Sequence, residues 1–324
     1  MVNNIGTVPP NQDTPGDFVW NRGFSVVVVG RWGRPGYFCK CRVAGDARLQ
    51  HEIETMNVLA ADPELRSHVP PVRSERSDEL QVHVTRYLGG MTLNGFLAHR
   101  FRSHRAMART IDETVDVALK LSRRGTIVLD GLMRGEHRIE LAVEAEPIIR
   151  YLGSVGLAAD DCAMIRRALR RVSPLPRQLQ HGDWWPANLI RAGGSLWIVD
   201  FEHYGEVQVP MYDVFHLLRT CSDLWAGGDA GDSWLDRMLD DRTTVTRLLR
   251  EAACRAMAKL DLTTDQAIGA LVYYIVDFGG TMHRRNPDGR VPQRFVDEIR
   301  RLAGLLRDGR SLDRVLCAGR SGNP

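Results

Sequence analysis

The spacing of apolar positions changes near residue 90. Before it, apolar residues fall in short β-type runs: Phe24–Val29, then Tyr37–Cys41 after a Gly/Pro turn at 33–36, then Leu80–Tyr87. Val-rich and aromatic runs bounded by Gly and Pro predict strands, and the first two predict a hairpin. Between them, the segment 49–59 sets Ile53, Met56, Leu59 and Ala60 on one helical face. Beyond Gly89-Gly90 the period becomes helical. Met107, Ile111, Val115 and Leu119 recur every fourth residue, and 139–152 forms a further helix. Asp160 or Asp161 is placed to cap another, carrying Ile165, Leu169 and Val172. A β-like stretch at 188–200 precedes helices over 245–260, 263–278 and 292–306, the second opening on a Thr263-x-x-Gln266 capping box. The pattern predicts an α+β chain with two lobes, a small β-rich one over 17–88 and a larger, mainly helical one over 89–324. Residues 1–16, polar and rich in Pro, Asn and Gly, predict a flexible arm.

Composition narrows the class. At 324 residues with 44% hydrophobic content, the chain can bury a core without disulfide or metal staples. Its longest apolar run, Ala267 to Phe278, falls short of the roughly 20 residues a membrane span needs. No Lys/Arg-led apolar run opens the sequence, so no signal peptide is expected. Six scattered cysteines without a C-x-x-C pair fit a reduced, cytoplasmic protein. Cys39 and Cys41, two apart on a strand, share one face. The net charge of +3 is too small to argue for a nucleic-acid partner, and the arginine runs at 100–109 and 166–171 lie on helical patterns as solvated faces. Lysine occurs only at Lys40, Lys120 and Lys259, with arginine supplying every other cation. Where arginine is the default, a retained lysine marks a place that calls for a compact ammonium, such as one gripping phosphate.

The most specific segment is His181-Gly182-Asp183, with Asn188 following it, and then Val199-Asp200-Phe201-Glu202 at the end of a hydrophobic strand. In these residues the chain resembles the aminoglycoside phosphotransferase and choline kinase group of the protein-kinase-like fold. The resemblance runs from about residue 18 to 220 and implies a bilobal kinase. Asp183 would accept or orient the proton of an attacking hydroxyl, and Asn188 and Asp200 would hold Mg²⁺ through hard oxygen ligands. His181 would either transfer protons or brace the loop, with bracing favoured. Lys40 would contact phosphate and Glu52 would orient it; Glu54 competes for that role but faces away from the Met56–Leu59 stripe. The segment 21–25 resembles a reduced nucleotide-covering loop, giving Gly23 and Ser25 as contacts. Thr85, Arg86 and Tyr87 resemble the hinge, where backbone groups would pair with a purine, ATP or GTP. Asp213, within Pro210–Phe215, would brace the catalytic loop from a helix start.

The implied acceptor is the hydroxyl of a small molecule: an aminoglycoside, a sugar or an amino alcohol. A nucleotide-binding regulator without turnover is the alternative, although the complete set of site residues argues against it. A protein kinase fits less well, because Glu202 stands where glycine is usual and only about a dozen residues separate Asp200 from Asp213. For acceptor recognition, an acidic stretch (Asp223, Asp229, Asp232, Asp236, Asp240, Asp241) is either a cation site or a solvated surface. Of Trp184 and Trp185, one is expected to stack on substrate and one to pack inward.

Overall fold

The valine-rich strand β1 (Gly23–Val29) pairs antiparallel with β2 (Pro35–Val43), as the hairpin pattern requires. The structure, a computed structural model, describes residues 23–29, 35–76, 78–100, 103–130, 138–225, 233–240, 242–285, 290–309 and 312–316. The expected arm at 1–16, Asn21, Arg22, most of the turn after β1, and Asp229, Asp232, Asp241 and Cys317 lie outside these residues. Helix α1 (Ala47–Ala61) follows, opened by Asp46, whose carboxylate accepts from the backbone N–H groups of Arg48 and Leu49. Strands β3 (Val72–Arg76) and β4 (Leu80–Arg86) complete a four-stranded antiparallel sheet in the order β1-β2-β4-β3. β3 escaped the sequence pattern because it is an edge strand, exposed at all but one position and carrying a single apolar residue, Val72.

After Gly90 the chain enters a larger, helical part. β5 (Met91–Thr92) pairs with β8 (Leu189–Ala192), which pairs with β9 (Ser195–Ile198). β6 (Arg138–Ile139) and β7 (Leu175–Pro176) form a separate two-stranded ladder. Around these lie α2 (Leu93–Arg100), α3 (His104–Asp130), α4 (Leu141–Ser154) and α5 (Ala159–Arg170). They are followed by α6 (Tyr212–Trp225), α7 (Trp234–Leu239), α8 (Thr244–Lys259), α9 (Thr264–Arg285), α10 (Arg290–Arg307) and α11 (Asp313–Leu316). Met107, Ile111, Val115 and Leu119 all point into the core. The capping box forms: Thr263 N–H donates to Gln266 Oε1 at 3.0 Å, and Gln266 N–H donates to Thr263 Oγ1 at 3.2 Å. The expected cap of α5 does not. Its N-cap is Ala158, and Asp160 and Asp161 sit within the first turn, where they still complement the positive end of the helix dipole. That helix also ends at Arg170, before Val172.

Three helices meet at one buried ion pair. The Arg219 guanidinium of α6 donates to Glu298 of α10, with both side chains only 2% exposed. The same guanidinium lies over the rings of Phe278 from α9 and Phe295, 4.8 and 5.0 Å from their centroids. Truncating one partner would strand a buried charge. Glu298→Ala is therefore expected to lower unfolding free energy by about 3–5 kcal/mol in urea denaturation, while a paired Arg219→Met, Glu298→Leu change loses much less.

Candidate functional site

Strand alternation decides which way the β2 side chains face. Cys39 and Cys41 are buried on one side of the sheet and Lys40 projects from the other. In register, Lys40 lies between Ser25 of β1 and His83 of β4. Its ammonium donates to three carboxylates: Glu52 Oε2 at 2.9 Å, Asp200 Oδ1 at 2.8 Å and Glu202 Oε2 at 3.2 Å. Glu52 reaches it from α1, whereas Glu54, one face round, is exposed and bonds the Gln50 side chain. Burial alone would lower the Lys40 pKa; the carboxylates outweigh burial and raise it. Burial would likewise raise that of Glu52, but His83 and Lys40 hold it down at about 2. Both groups are therefore charged.

The opposite wall comes from the segment after β7. Asp213, in the first turn of α6, is buried and accepts from the backbone N–H groups of His181 at 2.7 Å and Gly182 at 3.0 Å. Burial pushes its carboxyl pKa upward, and those two donors oppose the push. Gly182 has φ 79°, and a Cβ there would come within 3.1 Å of the His203 carbonyl oxygen, so the turn that presents Asp183 requires glycine. Asn188 Nδ2 donates to both the carbonyl and Oδ2 of Asp183 at 3.0 Å. With Nδ2 so engaged, Asn188 Oδ1 could serve a cation as a ligand atom. Val199 N–H donates to the Asn188 carbonyl at 3.0 Å, which ties the strand end carrying Asp200 to the same loop. Asp200 itself adopts φ 67°, a left-handed conformation that Asp tolerates better than most residues.

One cleft of about 460 Å³ takes in residues from both walls. Ser25, Lys40, Glu52, Asn188 and Asp200 line it, with Thr85, Arg86 and Tyr87 at the hinge side. Gly23 sits at the start of β1, opposite Arg42. The Tyr87 N–H donates to the Gly36 carbonyl at 3.0 Å, so that hinge donor is already engaged. His181 is the residue expected to brace the loop rather than transfer protons. It is fully buried, its Nε2 lies 3.2 Å from the Val199 carbonyl, and its ring is wedged edge-on between Trp184 and Phe201. That surrounding keeps its ring out of contact with solvent.

Two residues were missed. Glu202 figured only as a departure from the protein-kinase pattern, yet its carboxylate reaches Lys40; the signal was its spacing of two from Asp200. His83 had none beyond strand alternation. Among the acceptor candidates, Trp184 is fully buried, whereas Trp185 is half-buried and borders a second cleft with Asn94, Ala187, Thr220 and Leu224. The described members of the acidic stretch are paired with arginine: Asp223 with Arg237 and Arg294, Asp236 with Arg301, and Asp240 with Arg242.

With the geometry in view, residues 20–253 match the model of the phosphotransferase enzyme family. The chain belongs to that family. It is a kinase acting on an alcohol group, with the protein-kinase-like fold. No curated protein matches it significantly. Among solved structures, aminoglycoside phosphotransferase APH(4)-Ia is similar at 13% identity and TM-score 0.55, covering 93% of this chain and 94% of that one. A glucosamine kinase in complex with glucosamine, ADP and inorganic phosphate is similar at 16% identity and TM-score 0.52, covering 90% and 81%. Aminoglycoside phosphotransferase APH(2'')-Ib, ADP-bound, is similar at 14% identity and TM-score 0.51, covering 94% of each. Among the described residues of this phosphotransferase, no helix is long and apolar enough to cross a membrane.

The Glu52 carboxyl supplies a test of the site's electrostatics. Because its pKa falls from 4.5 to about 2 on folding, it stabilises the fold above pH 4.5, and that contribution is lost as pH falls toward 2. Glu52→Gln is expected to flatten the stability–pH curve across that window, read by denaturation midpoints at several pH values.

Proposed function

We propose that this phosphotransferase moves the γ-phosphate of ATP or GTP, with Mg²⁺, to a hydroxyl of a small molecule of the aminoglycoside, sugar or amino-alcohol kind. The observation that carries this reading is the meeting of Lys40 with carboxylates from both sides of the cleft, beside a bonded Asn188–Asp183 pair. Residues 17–88 would act as the nucleotide lobe and 89–324 as the lobe carrying the catalytic loop.

The donor set suits a divalent ion. Ligand oxygens of Glu52, Asp200 and Glu202 lie within 4.8 Å of one another around one ammonium, so negative charge exceeds positive there. Asp200 and Asn188 Oδ1 would hold Mg²⁺, an ion that favours oxygen ligands and keeps some waters. When bound, that ion neutralises phosphate charge. The chain's own residues do the rest. Lys40 grips phosphate as a point charge, and Glu52 fixes where its ammonium sits. Asp183, half-buried and oriented by the Asn188 amide, orients the acceptor hydroxyl and takes its proton. Asp213, through two backbone N–H groups, keeps the loop that carries Asp183 from shifting. The ligands in the similar structures, hygromycin B in an APH(4)-Ia complex and glucosamine in the kinase above, support a polyhydroxylated acceptor.

An ATP-consumption screen against aminoglycosides, sugars, nucleosides and amino alcohols tests the reading. Asp183→Ala is expected to lower turnover by about 10²–10⁴-fold while leaving nucleotide affinity near that of the unmodified chain. Full activity in that variant would sink the role given to Asp183. Asp200→Ala is expected to abolish the Mg²⁺-dependent part of nucleotide binding, measured by calorimetry with and without the metal.

A further inference from the structure

The buried imidazole of His83 has no part in the chemistry described so far. It lies on β4, in register with Lys40 of β2 and with Ser74 of β3. Alternation along β4 turns Gln81, His83 and Thr85, all buried, to the face of the sheet from which Lys40 projects. His83 is 3% exposed and lines the nucleotide cleft with Lys40, Glu52 and Met56. Its Nδ1 stands 3.7 Å from Glu52 Oε2, the same oxygen that accepts from Lys40. Neither ring nitrogen has a hydrogen-bond partner. At 3.7 Å the contact is electrostatic and is longer than a hydrogen bond.

Two physical points make this arrangement more than core packing. A buried imidazole with both nitrogens unpaired is costly where a leucine or valine would fill the same space. It is also sited where a donor becomes useful. Lys40 divides its donors among three carboxylates in this arrangement. Once Lys40 turns one donor toward phosphate, Glu52 keeps a weaker hold on it, and a second donor on Glu52 would restore its orientation.

We propose that His83 is a positioning residue, donating from Nδ1 to Glu52 and so fixing the Lys40–Glu52 pair for phosphate binding. This rests on the nucleotide site proposed above and adds a residue behind it. The role requires a donor at the Nδ1 position, which an asparagine amide reproduces and a leucine does not. It acts through Glu52, so its effect depends on the Glu52 carboxylate.

Calorimetric titration with Mg-ATP, and with Mg-GTP in parallel, tests it without knowledge of the acceptor. His83→Leu is expected to weaken nucleotide binding about tenfold with no fall in thermal stability. His83→Asn is expected to recover most of that loss. In a Glu52→Gln background, His83→Leu is expected to add no further loss, the non-additivity of residues acting through one group. Unchanged affinity in His83→Leu overturns the proposal, as does an equal loss in the Asn and Leu variants or full additivity with Glu52→Gln. Should the unmodified chain bind neither Mg-nucleotide, the nucleotide-site reading itself fails, and the His83 role with it.

Discussion

A single ammonium facing three carboxylates is the interaction on which the site depends. Lys40 comes from a strand of the four-stranded sheet, Glu52 from the helix packed on it, and Asp200 and Glu202 from the chain after β9. Such a junction sets the spacing between the two halves of the cleft. It is supported nearby by contacts that carry no catalytic chemistry. His68, beyond α1, bonds both Leu196 and Ile198 of β9, and His51 of α1 bonds the Tyr204 carbonyl. Arg124 of α3 bonds Asp62 at the end of α1 at 2.6 Å. The ion cluster is thus held in a frame of neutral and charged contacts crossing between the same elements.

The loop that carries Asp183 is held from beneath by a different means. A loop cannot satisfy its own backbone donors, so a buried carboxylate at a helix start supplies the acceptors. Asp213 does this for two consecutive residues, and its own N–H donates to the Gln180 side chain at 3.3 Å. The helix that carries Asp213 is in turn clamped by the Arg219–Glu298 pair and by aromatic contacts to α9. Rigidity therefore passes from the helical core through α6 to the two residues before Asp183. A loop so fixed can present a half-buried Asp without a metal or ligand to shape it.

How much of this was legible follows from the kind of signal each part leaves. Lys40 was readable because lysine is scarce here, and Glu52 because helical spacing separated it from Glu54. Asp183, Asn188 and Asp200 were readable through the family resemblance that their motif carries. β3 was not, because an edge strand made of Arg, Ser and Glu carries no apolar alternation. The cap of α1 was missed since Asp46 precedes a weakly amphipathic segment, and the cap of α5 was misplaced because either aspartate looked equally suited. Glu202 and His83 were hidden for a stricter reason. Their partners, Lys40 and Glu52, lie far along the chain, and only the pairing of sheet and helix reveals the contact. The same holds for the acidic stretch, whose arginine partners include Arg294 and Arg301, some seventy residues on.

On the proposed function, charge balance would also tie nucleotide binding to the metal more strongly than proximity would. Three carboxylates around one ammonium leave the cluster negative, and the low dielectric of a partly buried site makes that excess matter. Bringing in a polyphosphate adds more negative charge at the same place. Lys40 alone cannot offset both, because its ammonium is already shared among the three acids. Either the acids must be protonated or a cation must enter with the phosphate. Glu52, held near a pKa of 2, excludes protonation at its own position near neutral pH. The arrangement of residues therefore favours a nucleotide that arrives already carrying its counter-ion over one that binds bare.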